Sequence, residues 1–166
     1  YHIELLKFEI NSERYMTPKT ETDTQDLRKI KTAFMNLLNS IVDENYPDRE
    51  IFTTFEIEDN KDETFGKNYM KIPQGLLVKY SKDKSHTEYK YPDYKFTITE
   101  NTDYHHTFIM NAYYKALLFR ANYDMNFARF DEAEMLISKS AEIKPNSQET
   151  KQMMQKLNQL RALPDK

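Results

Sequence analysis

The sequence predicts a mixed α+β fold, in which a small α/β unit is packed on a C-terminal helical unit. Apolar residues recur at three- and four-residue steps after residue 24 and again after residue 103, as in amphipathic helices. Two short runs, IFTTFEI at 51–57 and LLVKY at 76–80, are rich in β-branched, aromatic or aliphatic residues and predict strands. We therefore expect two units, residues 1–100 and residues 101–166.

The composition narrows the possible functions. The chain has 166 residues, enough for one domain or two small units with a shared core, and its 12 Tyr and 10 Phe favour a folded chain over disorder. The net charge of −3 gives no electrostatic reason to expect nucleic acid. No apolar run is long enough to cross a bilayer, so this chain is not expected to insert into a membrane. Zero cysteines exclude disulfides, and two glycines argue against a glycine-rich phosphate loop, so we expect no cofactor.

The N-terminal third is predicted to contain a strand and a long helix. Residues 1–10 read as a strand and residues 11–23 as a polar loop. Thr24 is predicted to cap a helix that runs to Glu44, with Asp26 in its first turn. Its apolar stripe consists of Leu27, Ile30, Phe34, Leu37, Leu38 and Ile41. Pro47 ends the helix, because a proline disfavours a helical residue before it.

The middle of the chain is predicted to supply the sheet. In the first strand, the inner face consists of Ile51, Thr53, Phe55 and Ile57. An acidic loop covers 58–66, a turn covers 72–75, and the strand at 76–80 is apolar enough for burial on both faces. Residues 81–86 read as a charged loop, and residues 94–98 as an edge strand after Pro92.

Three helices are predicted in the C-terminal unit. Asp103 is expected to cap a helix that continues to Phe127. Asp131 with Glu134 and Asn146 with Glu149 have the spacing of capping boxes for the next two helices. The last helix is expected over 147–163, before Pro164.

The stretch from Tyr114 to Asn146 resembles one tetratricopeptide (TPR) repeat, which is a helix, a tight turn and a second helix. The small and apolar positions of the repeat are occupied by Leu117, Leu118, Ala121, Phe130, Ala133, Ile137, Ser140, Ile143 and the closing Pro145. The sequence departs from the repeat at Arg120, where leucine is usual, and at Asp124, where tyrosine is usual. The resemblance implies a helical scaffold that often binds a protein partner, and the last helix resembles the capping helix of such arrays.

A second resemblance involves the order of segments around the predicted sheet. A helix is followed by the stretch from Asn45 to Phe52, then by IPQGLLVKY at 72–80, then by the TPR-like pair. This order is similar to the C-terminal soluble region of polytopic bacterial membrane proteins that resemble GT-C glycosyltransferases of the protein O-mannosyltransferase type. The proline that follows arginine in that family is missing after Arg49. The resemblance implies an extracytoplasmic appendage whose parent carries its catalytic carboxylates in an absent membrane part, so no catalytic residue is carried over.

Histidines and acidic residues were considered as metal ligands. His105 and His106 are adjacent on a helix and point about 100° apart, so a surface or capping role is favoured over a metal site. His2 and His86 have no partner that the sequence identifies. The acidic loop fails the calcium-loop pattern, because Lys61 occupies a ligand position. We therefore expect no metal site, and no set of catalytic residues is recognisable.

Two groups of residues are candidate partner-binding positions. Asn111, Lys115, Asn122 and Arg129 lie on or near the first TPR-like helix, where such side chains can hold a peptide carboxylate, although a role in the scaffold is favoured. Tyr89, Tyr91 and Tyr94 are candidates for a flat surface that binds a sugar or a peptide, although core packing or an edge strand is favoured.

Three functional hypotheses follow. The first is a non-catalytic soluble domain for interaction or positioning, a module of a larger membrane-anchored bacterial protein on the periplasmic side of the inner membrane. This hypothesis also uses the first residue, Tyr1, which suggests a piece of a longer chain. Its partner would be a protein, a peptide or the membrane part of its own parent. The alternatives are a freestanding, cytoplasmic TPR adaptor that binds a peptide, and a fragment of a carbohydrate-processing enzyme with Glu56 beside the tyrosines.

Overall fold

A computed structural model describes residues 20–54, 65–97 and 103–163. Within these ranges the elements are α1 (Glu21–Asn45), β1 (Ile51–Thr54), β2 (Met70–Gln74), β3 (Leu77–Ser81), α2 (Tyr104–Asn126), α3 (Phe130–Ile143) and α4 (Gln148–Arg161). The predicted mixed α+β class is confirmed. The predicted strand at 1–10, the second half of the strand at 51–57 and most of the acidic loop lie outside the described residues.

Contacts divide the chain into two units. Among the described residues, one unit holds α1 and residues 65–68, and the other holds strands β2 and β3 with helices α2, α3 and α4. The boundary that the sequence predicts between residues 100 and 101 lies outside the described residues.

Helix α1 begins four residues earlier than the sequence predicted. Thr20 is its N-cap, and the Thr20 hydroxyl accepts a hydrogen bond from the Asp23 amide at 3.1 Å. The Asp23 carboxylate accepts one from the Thr20 amide at 3.2 Å, which completes a capping box. Thr24 therefore lies inside the helix rather than at its cap. The helix ends at Asn45, before Pro47 as predicted, but its apolar stripe is only partly covered: Ile41 is 49% exposed.

The sheet has the strand order β1-β3-β2, with β2 and β3 forming an antiparallel hairpin. Met70 pairs with Ser81 and Gln74 with Leu77, so the turn is confined to Gly75 and Leu76. Gly75 has φ +64°, a conformation that glycine adopts without a steric penalty. The predicted turn at 72–75 is therefore wrong, because residues 72–74 complete a strand that the sequence did not reveal.

The strands agree with the sequence predictions at some positions and differ from them at others. Pro73 is tolerated in β2 because this is an edge strand, where a missing amide donor need not break a ladder. In β3, Val78 and Tyr80 are fully buried while Leu77 is exposed, so burial on both faces was a wrong prediction. Thr53 lies on the half-buried face of β1, as predicted, and its hydroxyl contacts the Tyr80 hydroxyl at 3.4 Å. Residues 94–97 form no strand, contrary to the prediction.

Two of the three C-terminal helices start at a residue whose side chain caps them. Asp103 caps α2 as predicted, and its carboxylate accepts a hydrogen bond from the His106 amide at 2.7 Å. Helix α3 starts after Arg129 without a side-chain cap, so the predicted capping box at Asp131 does not form. Helix α4 starts after Ser147, whose hydroxyl caps it, and the predicted cap at Asn146 is one residue early.

The core of this unit lies where α2, α3 and α4 meet. Ala121 on α2 and Ala133 on α3 are completely buried, which allows the two helices to approach closely. Leu157 of α4 is also completely buried in the same cluster. The residues of the TPR resemblance that belong to this core cluster are Leu117, Leu118, Ala121, Ala133, Ile137 and Ile143.

Candidate functional site

The most strongly buried charges of the described residues form an ion pair inside α2. Arg120 and Asp124 are each 2% exposed and lie one helical turn apart. The Arg120 Nε donates to Asp124 Oδ2 at 3.0 Å, and a second Arg120 nitrogen lies 3.0 Å from Oδ1. This two-point geometry matches the planar guanidinium to the planar carboxylate, and it compensates part of the cost of burying both charges.

Arg120 also connects α2 to two segments that are distant in sequence. One terminal nitrogen donates to the Pro73 carbonyl of β2 at 3.1 Å. The other donates to the Thr87 carbonyl at 2.8 Å. Arg120 thus joins the helix, the edge strand and the segment after the hairpin. Because its donors are used within the chain, Arg120 is arranged as a structural residue rather than as a binder of an external anion.

His86 completes this group on the partly exposed side. Its Nε2 lies 2.9 Å from Asp124 Oδ1, and in the tautomer with a proton on Nε2 it donates to that carboxylate. Its ring stacks on Tyr123 at 5.5 Å and meets the edge of Phe127 at 5.3 Å. The Thr87 amide donates to the Tyr123 hydroxyl at 2.9 Å. We call His86, Thr87, Arg120, Tyr123 and Asp124 the latch.

Sequence reasoning did not identify the latch as a unit. It left His86 without a partner, and it noted Arg120 and Asp124 only as departures from the TPR pattern. In the structure both residues bond to segments that precede Tyr114 in the sequence. The available signal was an arginine and an aspartate at i and i+4 within an otherwise uncharged stretch, a spacing at which side chains meet on a helix.

The three candidate tyrosines lie in an aromatic cluster rather than on a flat platform. The Tyr89 and Tyr91 rings are perpendicular at 5.0 Å, and the Tyr94 ring contacts both Tyr91 and Tyr113 edge to face. All three tyrosines are half-buried. Such edge-to-face packing is typical of aromatic residues that stabilise a fold. A coplanar surface of the kind that stacks on a sugar ring is not formed by these side chains.

Tyr91 carries a buried hydroxyl that has no hydrogen-bond partner. Burial raises the pKa of Tyr91 well above the usual value of a tyrosine, since the phenolate would lose its hydration. The neighbouring Gly75 backbone and Arg120 charge oppose that rise in part, without a hydrogen bond of ordinary geometry. The hydroxyl is therefore a neutral, unpaired donor inside the protein at physiological pH.

The four candidate partner-binding positions on or near α2 lie in two different surroundings. With about 100° per residue, Asn111, Lys115 and Asn122 share one side of α2, opposite Arg120. On that side, Lys156 of α4 donates to Asn122 Oδ1 at 2.7 Å, so the last helix already contacts one of the candidate positions. Arg129 lies apart from them, in the turn before α3, and pairs with Glu132.

The two adjacent histidines lie in different surroundings. His105 is exposed at the start of α2, while His106 Nε2 contacts the Thr97 carbonyl at 3.2 Å. No group of three or more potential metal ligands converges among the residues that the structure describes. Glu56, the carboxylate considered beside the tyrosines, lies outside the described ranges.

A second polar cluster joins α2, α3 and α4 inside the core. The Tyr114 hydroxyl is bonded to the Ser147 hydroxyl and lies 3.1 Å from Thr150 Oγ1. Thr150 Oγ1 in turn lies 3.4 Å from Ser140 Oγ. Ser140 donates to the Ile137 carbonyl at 2.7 Å, so these buried hydroxyls satisfy one another and specify how the helices pack.

Two further findings concern the chain as a whole. Within the described ranges, every helix is too short or too polar to traverse a lipid bilayer. Comparison with protein-family models, with curated proteins and with solved structures found no match for this chain.

Proposed function

We propose that this chain is a non-catalytic domain for interaction or positioning, built on a TPR-like helical pair, and that it is a module of a larger membrane-anchored bacterial protein. The observation that carries the proposal is the use of the buried polar groups. Arg120, Asp124 and His86 bond to one another and to the main chain, as structural side chains do. The partner is a protein, a peptide or the membrane part of the parent chain, and the domain would face the periplasm.

The packing of α2, α3 and α4 supports the TPR-like part of the proposal. Ala121 and Ala133 occupy the points where the repeat requires small residues, and both are completely buried. A single repeat cannot bury its apolar faces alone, so it needs neighbours on both sides. Here β2 packs against α2, and α4 packs against both helices of the pair. The TPR-like pair is thus covered by other elements of the chain, as expected of a scaffold.

Exposed apolar side chains on the helical pair are the natural positions for a partner. Tyr104 and Phe108 stack on each other at 6.3 Å near the start of α2, and Tyr104 is 77% exposed. Met135 is exposed on α3. Aromatic residues and methionine are enriched in protein interfaces.

The test of partner binding is site-specific photo-crosslinking in cells that express the intact parent protein. A photoreactive phenylalanine analogue replaces Phe108 in one variant and Met135 in a second. A third variant carries it at Lys151, which is exposed on the polar face of α4 and serves as a control. Crosslinks to one protein, or to another part of the parent, at 108 or 135 but not at 151 support the proposal. Equal, unspecific labelling at all three positions contradicts it.

The membrane-anchored part of the proposal is tested on the encoding gene. A reading frame that continues upstream of Tyr1 through several apolar segments of about 20 residues supports a membrane-protein module. A short upstream region, or further helical repeats, contradicts it and favours the freestanding adaptor.

A further inference from the structure

Tyrosine is the residue of this chain on which one-electron oxidation is expected to settle. The chain has 12 Tyr but neither tryptophan nor cysteine, whose indole and thiol groups lose electrons readily. Its eight methionines react by taking up an oxygen atom, which is a two-electron step. Without cysteine, no disulfide can link segments of the chain covalently, so a link between tyrosines is the available alternative.

Four tyrosines and one phenylalanine form a continuous series of ring contacts between α2 and the segment that precedes it. The Tyr91 ring lies 5.0 Å from that of Tyr89 and 6.2 Å from that of Tyr94. The Tyr94 ring in turn lies 5.1 Å from that of Tyr113 of α2. The Phe96 ring packs on both, at 5.9 Å from Tyr94 and 5.7 Å from Tyr113. Because neighbouring rings in contact exchange electrons, an electron vacancy that enters at one tyrosine can reach the others.

The surroundings of the hydroxyl groups decide where such a vacancy comes to rest. A phenol that has lost an electron is a strong acid and must give its proton to an acceptor. The Tyr91 hydroxyl is buried without a hydrogen-bond partner, so its proton has no acceptor. Tyr94 and Tyr113 are half-buried, and neither hydroxyl is among the enclosed, unpaired polar atoms of the described residues. Their protons can therefore pass to water.

The contact between Tyr94 and Tyr113 suits carbon–carbon coupling. Two phenoxyl radicals join through ring carbons next to the oxygen-bearing carbon, so an edge-on contact favours coupling over a face-to-face stack. The planes of these two rings meet at 60°, in an edge contact that Phe96 supports from the side. Tyr89 and Tyr91 lie equally close, but the Tyr91 phenol keeps its proton and is not expected to couple.

We propose that Tyr94 and Tyr113 are an oxidative modification site, at which two equivalents of a one-electron oxidant join the rings as a dityrosine cross-link. The link ties the segment before α2 to the helix itself. A covalent bond between residues so far apart in sequence restricts the unfolded chain, so it stabilises the fold. The site does not depend on the proposed function.

The coupling balances in electrons and atoms. Each of the two phenols gives one electron to the oxidant and its hydroxyl proton to water. The two phenoxyl radicals then form one carbon–carbon bond between their ortho carbons. The hydrogen on each of these carbons moves to the ring oxygen, which restores both phenols. Two electrons and two protons leave in total, and the oxidant takes up the electrons.

The test oxidises the full chain with tris(bipyridine)ruthenium(III), which is generated by illumination of the ruthenium(II) complex with persulfate. Monomers are separated by gel filtration, so that links between chains are not counted. Dityrosine fluorescence detects the new bond, and tandem mass spectrometry of tryptic peptides locates it. The expected product joins peptide YPDYK, residues 91–95, to the peptide of residues 96–115. Fragmentation should place the bond at Tyr94 and Tyr113.

Conservative variants show whether these two phenols are the ones that react. Tyr94→Phe and Tyr113→Phe keep the ring contacts and remove one phenol each, so either should abolish the product. Tyr104→Phe is the matched control within the same tryptic peptide. Tyr104 is 77% exposed and stacks on Phe108, and its replacement should leave the product in place.

Oxidation of the unmodified chain in urea provides a comparison that requires no variant to fold. The unfolded chain should form other tyrosine pairs without the link between Tyr94 and Tyr113, since the two rings then no longer meet. The proposal is overturned if the oxidised native monomer lacks this link or if the link forms equally in urea. Retention of the product in Tyr94→Phe or Tyr113→Phe, or its loss in Tyr104→Phe, would also overturn it.

Discussion

At the scale of single residues, Arg120 and Asp124 are the clearest departure from an apolar helical core. A leucine at 120 would suit the helix–helix packing but would offer no donor to Pro73 or Thr87. The guanidinium also lies over the Tyr123 ring at 4.7 Å, which adds a cation–π contact. The ion pair thus joins segments that are distant in sequence. Its net contribution to stability depends on both charges being present.

Removal of one charge should therefore cost more than removal of both. Arg120→Leu should lower the free energy of unfolding by roughly 3–5 kcal/mol, because the buried Asp124 loses its guanidinium partner and keeps only His86. Arg120→Leu/Asp124→Leu should be more stable than that single variant. Urea denaturation measures both values. Arg161→Leu, which removes exposed ion pairs with Asp131 and Glu134, is the matched control and should cost less than about 1 kcal/mol. Additive costs for the two latch substitutions would contradict this account.

Removal of the hydroxyl should have opposite effects on stability at two tyrosines, Tyr91 and Tyr114. Tyr91→Phe should leave stability unchanged or raise it by up to about 1 kcal/mol, since the lost hydroxyl has no partner. Tyr114→Phe should lower it by about 1 kcal/mol, because its hydroxyl is bonded to Ser147 and Thr150. Thermal or urea denaturation of the two variants decides the point. Equal losses would mean that the Tyr91 hydroxyl is paired in solution.

The raised pKa of Tyr91 predicts a loss of stability in alkali. In the unfolded chain a tyrosine ionises near pH 10, whereas burial keeps the native Tyr91 protonated at higher pH. The contribution is fully present below pH 10 and is lost as the pH rises above it. The free energy of unfolding should then fall by up to about 1.4 kcal/mol per pH unit more steeply than in Tyr91→Phe. Parallel curves for the two proteins between pH 9 and 11 would contradict the assignment.

At the scale of elements, the start of α4 shows that two neighbouring residues can both be suitable N-caps. The sequence predicted Asn146 as the cap of α4, and the neighbouring Ser147 is also of a residue type that caps well. The structure selects Ser147, whose hydroxyl also bonds to Tyr114 of α2. A tertiary contact thus accompanies the choice of this cap. Local sequence patterns do not contain information on that contact.

A pair of alanine substitutions distinguishes the two caps. Ser147→Ala should lower the free energy of unfolding by about 1–2 kcal/mol, since it removes both the cap and the partner of Tyr114. Asn146→Ala, at an exposed position outside the helix, should change it by less than about 0.5 kcal/mol. Urea denaturation provides the comparison, and a reversed order would restore the cap that the sequence predicted.

At the scale of the whole molecule, the contacts place strands β2 and β3 in the same unit as α2, α3 and α4. The sequence instead predicted a division between residues 100 and 101, where the TPR-like helical unit was expected to begin. Arg120 supplies links across that position through its bonds to Pro73 and Thr87. The packing of β2 on α2 and the bond from Arg120 to Pro73 should make these elements unfold together.

Hydrogen exchange can decide between the two divisions. We expect the amides of Val78 and Tyr80 in β3 to exchange with the same free energy, within about 1 kcal/mol, as those of Leu117 and Ala121 in α2. Exchange of the β3 amides at a clearly lower free energy would favour separate units with a boundary near residue 100. Two-dimensional NMR under native conditions gives both sets of values.

The sequence by itself determined the mixed α+β class and the cap at Asp103, and the TPR resemblance implied the small residues at Ala121 and Ala133. Periodicity, capping and residue size act over one or two helical turns, so a single sequence is enough to predict their effects. Only the tertiary structure decided that His86 meets Asp124, that Arg120 bonds to β2 and that residues 86–97 lie along α2. These contacts join residues that are far apart in sequence, and they depend on where the intervening chain passes, which no local spacing records.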